Sequence, residues 1–293
     1  MAFEFDWVDA FSAQPFGGNG CAVVHAAMVL DDATCMAIVR ETGLVECTFL
    51  QPSEKADVKV RYFMGHREIP FAGHPTVATV ASLVDRGIVR GTSVTLETGA
   101  GVIPVDIEDQ GGVPLITMTQ MRPEFGPEIS PEVVAAVGGL AAEDVLGVPR
   151  VVSTGLPFCI TVVKDHAVLR SVQMDADALA RFRSVAGGDL APVMEPFWVT
   201  LTGATEAGNT FSRLVLAPPL PPEDAFTGSA TGAMAAYLWA EGHLDAPRFV
   251  AEQGHWIGRP GQAQVEVLGP SDDISGVRVG GRAYVLMRGF LNL

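Results

Sequence analysis

Two stretches of the chain are apolar at almost every position over the length of a helix. His74–Arg86 is apolar through Val77–Val84, and Ala230–Glu241 is apolar through Gly232–Trp239. A helix that is apolar on every face must be surrounded by other elements rather than laid on a surface. Because strands are predicted before and after each stretch, the pattern predicts an α+β fold in which two curved, mostly antiparallel sheets or barrels each surround a central helix.

The two stretches belong to a repeat of 155 residues. Shifted by that distance without a gap, Glu68–Gly99 matches Glu223–Gly254 at ten of 32 positions. Glu, Phe, Gly and Thr match in register within nine residues, which chance matching in an Ala- and Gly-rich chain does not explain. The repeat predicts two pseudo-symmetric halves built from one kind of unit.

The repeat also suggests where the chain divides into domains. A length of 293 residues suits two domains, since single cores usually split into units of about 100–200 residues. We expect an N-terminal half over 1–120 and a C-terminal half over 121–280, with 281–293 able to return to the first. Met121–Pro131 interrupts the pattern and marks the boundary.

Further elements are predicted around the two central helices. In the N-terminal half these are strand, loop and strand over Glu4–Val24, a helix over Asp31–Thr42, and strands over Val45–Gln51, Val58–Phe63, Ser93–Glu97 and Val102–Ile107. In the C-terminal half they are peripheral helices over Val137–Ala142 and Asp175–Phe182. A last strand over Ala283–Phe290 could join either half.

Composition and charge exclude several classes of function. The net charge is −15 and the only lysines are Lys55, Lys59 and Lys164. Without a basic stripe the chain is not expected to bind nucleic acid or anionic membranes. No basic and apolar leader and no apolar run of about 18 residues is present, so a cytoplasmic protein is expected.

Neither metal nor cofactor chemistry is indicated. The four cysteines, Cys21, Cys35, Cys47 and Cys159, lack Cys-x-x-Cys spacing and sit among apolar neighbours, so buried free thiols are predicted. The six histidines show no ligand spacing such as His-x-His, and no phosphate-binding loop is visible. We predict no metal, nicotinamide, flavin or pyridoxal phosphate.

Each apolar helix follows a short glycine-containing turn, Ala72–Pro75 in the first copy and Thr227–Ala230 in the second. A helix start carries unpaired N–H groups and about half a positive charge. If the halves face each other about a pseudo-two-fold axis, the two starts can converge on one anionic ligand. We therefore expect the active site in the cleft between the halves, with a small carboxylate-bearing molecule as substrate.

Five motifs, in order along the chain, resemble those of the PhzF-like family of phenazine-biosynthesis isomerases. They are Val8–Phe11 with Pro15–Asn19, Glu46–Phe49, Pro70–Thr76, Glu223–Ala230 and Glu252–Pro260. The resemblance covers nearly the whole chain. It implies the diaminopimelate-epimerase-like fold, two similar halves with a cleft between them, which agrees with the repeat.

The resemblance also implies roles for three residues. From the residues alone, Glu46 would be a solvated residue of a strand. His74 would pack against or cap the start of a helix, and Asp224 would be a helix cap or a turn residue. In the family, the glutamate matching Glu46 moves a proton between carbons as general acid and base, and residues matching His74 and Asp224 complete the site. Burial would raise the pKa of such a glutamate toward neutrality.

The same resemblance implies a substrate-binding set. Backbone amides and a hydroxyl at the two turns would hold the substrate carboxylate, and Asn19 would orient the ligand from the first loop. The predicted substrate-binding residues are Asn19, Gly73, Thr227, Gly228, Ser229 and Ala230.

Several positions depart from related patterns. Thiol-dependent racemases of this fold carry a cysteine just before each turn glycine, where this chain has Ala72 and Thr227. A two-cysteine epimerase is therefore not expected. Val45 replaces the usual serine before the glutamate, and Ala225-Phe226 replaces the usual Pro-Ala. Both changes lie beside the predicted site and favour a reshaped pocket.

The leading hypothesis is a cofactor-independent isomerase that moves a proton and a double bond on a small carboxylate-bearing amino or cyclic acid. A pyrroline- or proline-like intermediate of antibiotic biosynthesis is one variant, and a homodimer is the expected assembly. The alternative is a family member that has lost catalysis and acts as a small-molecule binding protein. A metal enzyme is the third hypothesis.

Overall fold

The computed structural model describes residues 1–187, 193–218 and 220–293. The chain forms two compact units, of which the first comprises Met1–Met118 and Gly280–Leu293 and the second Thr119–Val279.

The first unit is a sheet with two helices. Its strands are β1 (Ala2–Ala10), β2 (Asn19–Val24), β3 (Glu46–Gln51), β4 (Val58–Met64), β5 (Glu68–Ile69), β6 (Ser93–Thr98), β7 (Gly101–Glu108), β8 (Leu115–Gln120), which ends at the boundary, and β18 (Ala283–Asn292). Its helices are α1 (Asp32–Thr42) and α2 (Gly73–Asp85).

The second unit follows the same plan with more helices. Its strands are β9 (Glu124–Glu128), β10 (Val145–Ser153), β11 (Pro157–Val163), β12 (Phe197–Thr200), β13 (Thr210–Val215), β14 (Glu223–Asp224), β15 (Arg248–Gln253), β16 (Gly261–Leu268) and β17 (Gly276–Gly281). Its helices are α3 (Pro131–Val137), α4 (His166–Ser171), α5 (Ala176–Ala186) and α6 (Gly228–Ala240), with short 3-10 turns over Ala142–Asp144 and His255–Ile257.

The 155-residue repeat is visible in the element bounds. Helices α2 and α6 begin and end 155 residues apart, and so do β5 and β14, and β6 and β15. Every residue of α2 from Gly73 to Leu83 is buried, and α6 is buried from Ala230 to Leu238. Helix α2 packs against β1, β2, β3 and β18, and α6 packs against β10, β11 and β16. The predicted α+β fold with a central apolar helix in each half is confirmed.

Antiparallel pairs predominate in both units, and parallel pairs occur at matching places. In the first unit β2 pairs in parallel with β3, and β4 with β6. In the second unit β11 pairs in parallel with β12, and β13 with β15. A parallel pair needs a crossover connection, which α1 and α2 supply in the first unit and α4, α5 and α6 in the second.

Identical residues of the repeat make the same contacts in both units. Glu68 receives two hydrogen bonds from the Arg61 guanidinium, at 2.8 and 2.7 Å. Glu223 likewise receives hydrogen bonds of 3.0 and 2.6 Å from Arg213. Paired hydrogen bonds between a guanidinium and a carboxylate fix geometry as well as add energy. Each pair anchors the short strand that leads into the central helix.

A second pair of glutamates holds a loop in each unit. The Ser53 hydroxyl donates to Glu97 at 2.5 Å. The Thr205 hydroxyl donates to Glu252 at 2.6 Å, and the Thr205 N–H donates to the same carboxylate at 2.9 Å. The matching glutamates therefore have a structural role common to both copies.

Each unit also has a strand that lies outside the two copies of the repeat. Strand β9 follows the first copy of the repeat and pairs with β10 of the second unit. Strand β18 follows the second copy and pairs along its whole length with β1 of the first unit. The predicted C-terminal strand over Ala283–Phe290 is thus present and belongs to the first unit.

Each unit has apolar packing outside its central helix. In the first unit α1 places Cys35, Ile38 and Val39 against Phe49 and Phe63 of the sheet. In the second unit α3, α4 and α5 cover a cluster around Trp198, Phe182 and Phe211.

One predicted helix is misplaced. The sequence pattern predicts a helix over Val137–Ala142, but α3 spans Pro131–Val137. Ser130 caps this helix by accepting from the Val133 N–H, and proline occupies its first turn, where a missing N–H costs nothing. The helix ends at Gly138, and Gly139 has a left-handed φ of 64°. None of the helices within the described ranges is long and apolar enough to span a membrane.

Candidate functional site

The first group of predicted site residues meets at one edge of the first unit. Glu46 begins β3, Asn19 begins β2 and His74 is the second residue of α2. Because β2 and β3 are parallel, their starting residues lie at the same edge. The His74 Nδ1 atom is 3.5 Å from the Glu46 carboxylate and 3.2 Å from the Asn19 side-chain nitrogen.

Burial sets the charge of His74. The residue is 4% exposed, and burial lowers its pKa to about 3. The imidazole is therefore neutral near pH 7. Its Nε2 atom is buried and has no hydrogen-bond partner among the described residues. Glu46, beside it, keeps 14% of its side chain exposed.

The loop before Asn19 is held in an unusual backbone conformation. Phe11 and Phe16 have left-handed φ values of 63° and 68°. Gly18 has a φ of 52°, and a Cβ there would lie 1.9 Å from the Ala10 carbonyl oxygen. The buried Asp9 carboxylate accepts the Phe16 N–H at 2.8 Å. Such strain persists where surrounding structure imposes it, and it is concentrated at functional sites.

Both central helices begin without a side-chain cap. Ala72 is the N-cap of α2 and Thr227 is the N-cap of α6, and neither side chain bonds to its helix start. The first N–H groups of a helix have no partner within the helix. These N–H groups belong to Gly73 and His74 in α2, because Pro75 has none. In α6 they belong to Gly228, Ser229 and Ala230.

The second group of predicted residues lies at the start of α6 in the second unit. Asp224 ends β14 and is 5% exposed. The Thr227 hydroxyl donates to the Asp224 carboxylate at 2.5 Å. The Gln253 side chain accepts the Thr227 N–H at 3.0 Å, and it donates to the Asp224 carbonyl oxygen at 2.9 Å and to the Thr227 hydroxyl at 3.2 Å.

A further side chain packs on the first turn of α6. Gln120 donates to the Gly228 carbonyl oxygen at 2.9 Å and accepts the Thr154 hydroxyl at 2.5 Å. A Cβ on Gly232 would lie 1.8 Å from the Gln120 side-chain oxygen. A Cβ at this position would force the Gln120 side chain to move and to lose its hydrogen bonds to Gly228 and Thr154.

The predicted residues thus fall into two groups. The first unit brings together Glu46, His74, Asn19 and Gly73, and the second brings together Asp224, Thr227, Gly228, Ser229 and Ala230. A shared cleft between the two groups stays a prediction. Sequence reasoning singled out neither Gln253 nor Gln120, although Gln253 lies inside a quoted motif.

The positions that depart from the family pattern differ in exposure. Phe226 is fully buried and Val45 is partly buried. The four cysteines are free and buried, as predicted. Burial raises the pKa of the Cys47 thiol to about 11 and that of Cys159 to about 12. The reactive thiolate form is therefore scarce near neutral pH.

A pocket of about 540 Å³ lies elsewhere in the first unit. It is lined near the end of α2 by Leu83, Ile88 and Arg90, and it includes none of the predicted site residues. Its position does not connect it with Glu46 or His74.

Comparison with known proteins places the chain in a family. The PhzC-PhzF family, described as "Phenazine biosynthesis-like protein", matches residues 8–289. The chain belongs to this family. It is 30% identical over 297 residues to trans-2,3-dihydro-3-hydroxyanthranilate isomerase of Pseudomonas chlororaphis, with 98% of each chain covered.

Solved structures agree with this assignment. The crystal structure of a PhzF-family phenazine biosynthesis protein from Bacillus anthracis matches with a TM-score of 0.87 and 27% identity over 100% of both chains. A hydroxyproline epimerase from Agrobacterium vitis matches with a TM-score of 0.63 and 14% identity, covering 100% of this chain and 93% of that one. The second match shows a common fold only.

Proposed function

We propose that the protein is a cofactor-independent isomerase in which Glu46 moves a proton between two carbons of a small unsaturated acid. The observation that carries this proposal is the contact of Glu46 with a neutral, buried His74 at one edge of the first unit. Membership of a family whose relatives are named isomerases supports the reaction class. The role of Glu46 comes from the family resemblance.

The proposed reaction conserves atoms and electrons. The Glu46 carboxylate takes a proton from a carbon whose C–H bond is acidified by conjugation, and the electron pair moves into the conjugated system. The same carboxyl group then returns the proton to a different carbon, so that the double bond has moved. Mostly buried surroundings favour such a shuttle, because they limit exchange with water and bring the pKa of a carboxyl nearer to neutrality.

The other residues are proposed to hold the substrate. The N–H groups at the starts of α2 and α6, which have no partner within their own helices, are suited to a carboxylate. The partnerless Nε2 atom of His74 can pair with a polar substituent, because the ring is neutral and is not needed as a cation. Asp224 is proposed to bind or protonate a second substituent, and Asn19 to hold His74.

The substrate class is a small acid with a conjugated or allylic C–H bond. The Pseudomonas relative is named for trans-2,3-dihydro-3-hydroxyanthranilate, which is the first compound to test. Val45 and Phe226 depart from the family pattern beside the proposed site. A panel should therefore include other cyclic and pyrroline-type acids. We also propose that the protein acts in specialised metabolism and assembles as a homodimer. Light scattering measures the mass of the assembly and so tests the homodimer.

The decisive variant is Glu46→Gln, which keeps the shape of the side chain but cannot accept a proton. We expect turnover to fall by about 10²–10⁴-fold, the usual contribution of a positioned acid or base, with an unchanged melting temperature and nearly unchanged affinity. Glu41→Gln is the matched control because Glu41 is an exposed residue of α1. Near-normal turnover by Glu46→Gln would refute the role of Glu46.

Turnover in D₂O tests the reaction class separately. Proton transfer by Glu46 predicts deuterium at the newly protonated carbon, in proportion to how fast the carboxyl proton exchanges with solvent before it is returned. Mass spectrometry and ¹H NMR of the product measure the label and its position. A hydrolysed or redox-changed product would place the reaction outside the isomerase class.

A further inference from the structure

We infer that Gln253 and the Thr227 hydroxyl are positioning residues that fix the orientation of the Asp224 carboxylate. The inference rests on the proposed function, in which Asp224 acts on the substrate. It also gives Thr227 a different role from the substrate binding that the family resemblance implies.

The Gln253 side chain closes the turn between Asp224 and Thr227. Gln253 is the last residue of β15 and is fully buried. Its oxygen accepts the Thr227 N–H, and its nitrogen donates to the Asp224 carbonyl oxygen and the Thr227 hydroxyl. With the N–H and the carbonyl oxygen both bonded, the amide cannot be reversed without losing these two hydrogen bonds.

This arrangement determines where the Thr227 hydrogen points. A hydroxyl has one hydrogen to donate, and the hydroxyl of Thr227 already accepts from Gln253. Its own hydrogen goes to the Asp224 carboxylate at 2.5 Å, the short distance typical of a hydrogen bond to a charged oxygen. Thr227 therefore acts on Asp224 and has no second hydrogen with which to bind substrate.

The first unit shows that the fold does not need this arrangement. At the positions 155 residues earlier, Asp224, Thr227 and Gln253 are replaced by Ile69, Ala72 and Thr98. Helix α2 nevertheless begins at the position equivalent to the start of α6, after the same kind of short strand. Thr98 instead donates to the Gly101 carbonyl oxygen.

The three polar residues therefore occur together in one copy and are absent together from the other. The residues on either side of Gln253, Glu252 and Gly254, are identical to their counterparts Glu97 and Gly99. A purely structural role in starting the central helix would be expected in both copies. The hydrogen bonds made by Gln253 and Thr227 occur only in the copy that has an aspartate at this position, which indicates that they serve Asp224.

The test compares Thr227→Val, which removes the hydroxyl at nearly constant volume, with Thr227→Ser, which keeps it. Loss of a hydrogen bond to a carboxylate favours the protonated form. We expect the ¹³C titration midpoint of the Asp224 carboxyl group to rise by about one pH unit in Thr227→Val and to stay near the wild-type value in Thr227→Ser. The signal is assigned by its loss in Asp224→Asn.

Thr231→Val is the matched control. Thr231 is buried in the same helix, and its hydroxyl donates to the Thr227 carbonyl oxygen at 2.9 Å. This variant loses a buried hydrogen bond of similar kind and should not move the Asp224 titration. Gln253→Glu keeps an acceptor for the Thr227 N–H but adds a carboxylate, and should raise the midpoint further. If Gln253→Glu does not fold, the comparison of Thr227→Val with Thr227→Ser still tests the inference.

Turnover supplies a second readout. With an active substrate, Thr227→Val should lower kcat by roughly 10²-fold, the effect of misplacing a catalytic group by about 1 Å, and Thr227→Ser should restore most of it. An Asp224 midpoint in Thr227→Val equal to the wild-type value would overturn the inference. Because the titration requires no turnover, it is independent of the Glu46→Gln result that tests the proposed function.

Discussion

His74 combines a helix start, deep burial and a carboxylate neighbour in one side chain. Buried cations are costly, so the ring gives up its proton rather than pairing with Glu46 as a charged group. A neutral ring leaves Glu46 as the group that accepts and returns the proton in the proposed reaction. His74 then contributes a fixed hydrogen-bonding nitrogen, Nε2, and not a mobile proton.

The low pKa of His74 has a consequence for stability. An unfolded histidine titrates near 6.5, whereas His74 in the fold titrates at about 3. Between these values the unfolded chain binds more protons, so the free energy of unfolding falls as the pH drops from 6.5 towards 3. At 1.36 kcal/mol per pKa unit, the stability lost through this residue over the whole range is on the order of 5 kcal/mol.

His74→Gln should remove that part of the pH dependence. Urea unfolding at pH 7, 5.5 and 4.5 should show a shallower loss of stability for this variant than for the wild type. His66→Gln, which changes an exposed histidine, should retain the wild-type slope. An identical slope in His74→Gln and the wild type would show that His74 does not titrate as described.

Single residues were predictable where a family motif singles them out. The family motifs predict Glu46 and His74 in one site, and in the structure the His74 Nδ1 atom lies 3.5 Å from the Glu46 carboxylate. Gln253 was missed, although a signal was available: it differs from Thr98 within a triplet whose outer residues, Glu and Gly, match between the copies. Hydrogen-bond direction depends on three-dimensional contacts, so the role of the Thr227 hydroxyl could not be read from spacing.

At the level of elements, the central helices were predictable because an all-round apolar pattern leaves few alternatives. Their bounds were missed by one or two residues at the start, where Gly73 and Gly228 already belong to the helices. Glycine is a poor helix former, so propensity alone places the start later. The helix near Val137 starts earlier than predicted for a different reason: Ser130 and Pro131 form a helix start signal, but they also lie in the stretch that interrupts the pattern between the halves.

Helix α6 offers a test of how Gln120 shapes its first turns. Gly→Ala inside a helix usually stabilises by up to about 1 kcal/mol, but the atoms nearest to a Cβ at Gly232 all belong to Gln120. We expect Gly232→Ala to destabilise the protein by about 1–3 kcal/mol through overpacking. In a Gln120→Ala background the same change should be neutral or stabilising.

A double-mutant cycle measures this coupling by thermal or urea unfolding. The two changes should be non-additive by more than about 0.5 kcal/mol, the limit for independent sites. Additive effects would mean that Gly232 is required for another reason. The equivalent position of α2 is Val77, where a side chain is accommodated.

At the scale of the whole molecule, the repeat predicts two units of one kind, and the structure has them. The repeat does not reveal which unit receives each flanking strand. That outcome depends on long-range pairing of β18 with β1, in which Ala10 pairs with Ala283 and Ala2 with Asn292, so that partners lie far apart along the chain. Local pattern could predict the strand but not its partner.

Deleting residues 283–293, which comprise β18 and Leu293, should loosen the first unit selectively. The deletion removes the antiparallel partner of β1 and the Arg288 guanidinium, which lies 3.2 Å from the buried Asp6 carboxylate. Hydrogen exchange measured by mass spectrometry should show faster exchange in β1 and β2, with little change in β15 and β16. Deleting Asn292 and Leu293 alone is the control and should have a small effect. Equal loss of protection in both units would contradict this prediction.

The place of β18 in the first unit also affects the order in which a newly made chain can finish folding. Thr119–Val279 is continuous, so the second unit can be completed while β18 is still to be synthesised. The first unit, although begun earlier, must wait for β18. Until then β1 has an open edge, where backbone groups can pair with a wrong strand. During synthesis, the unit that contains Glu46 and His74 is therefore the last to close.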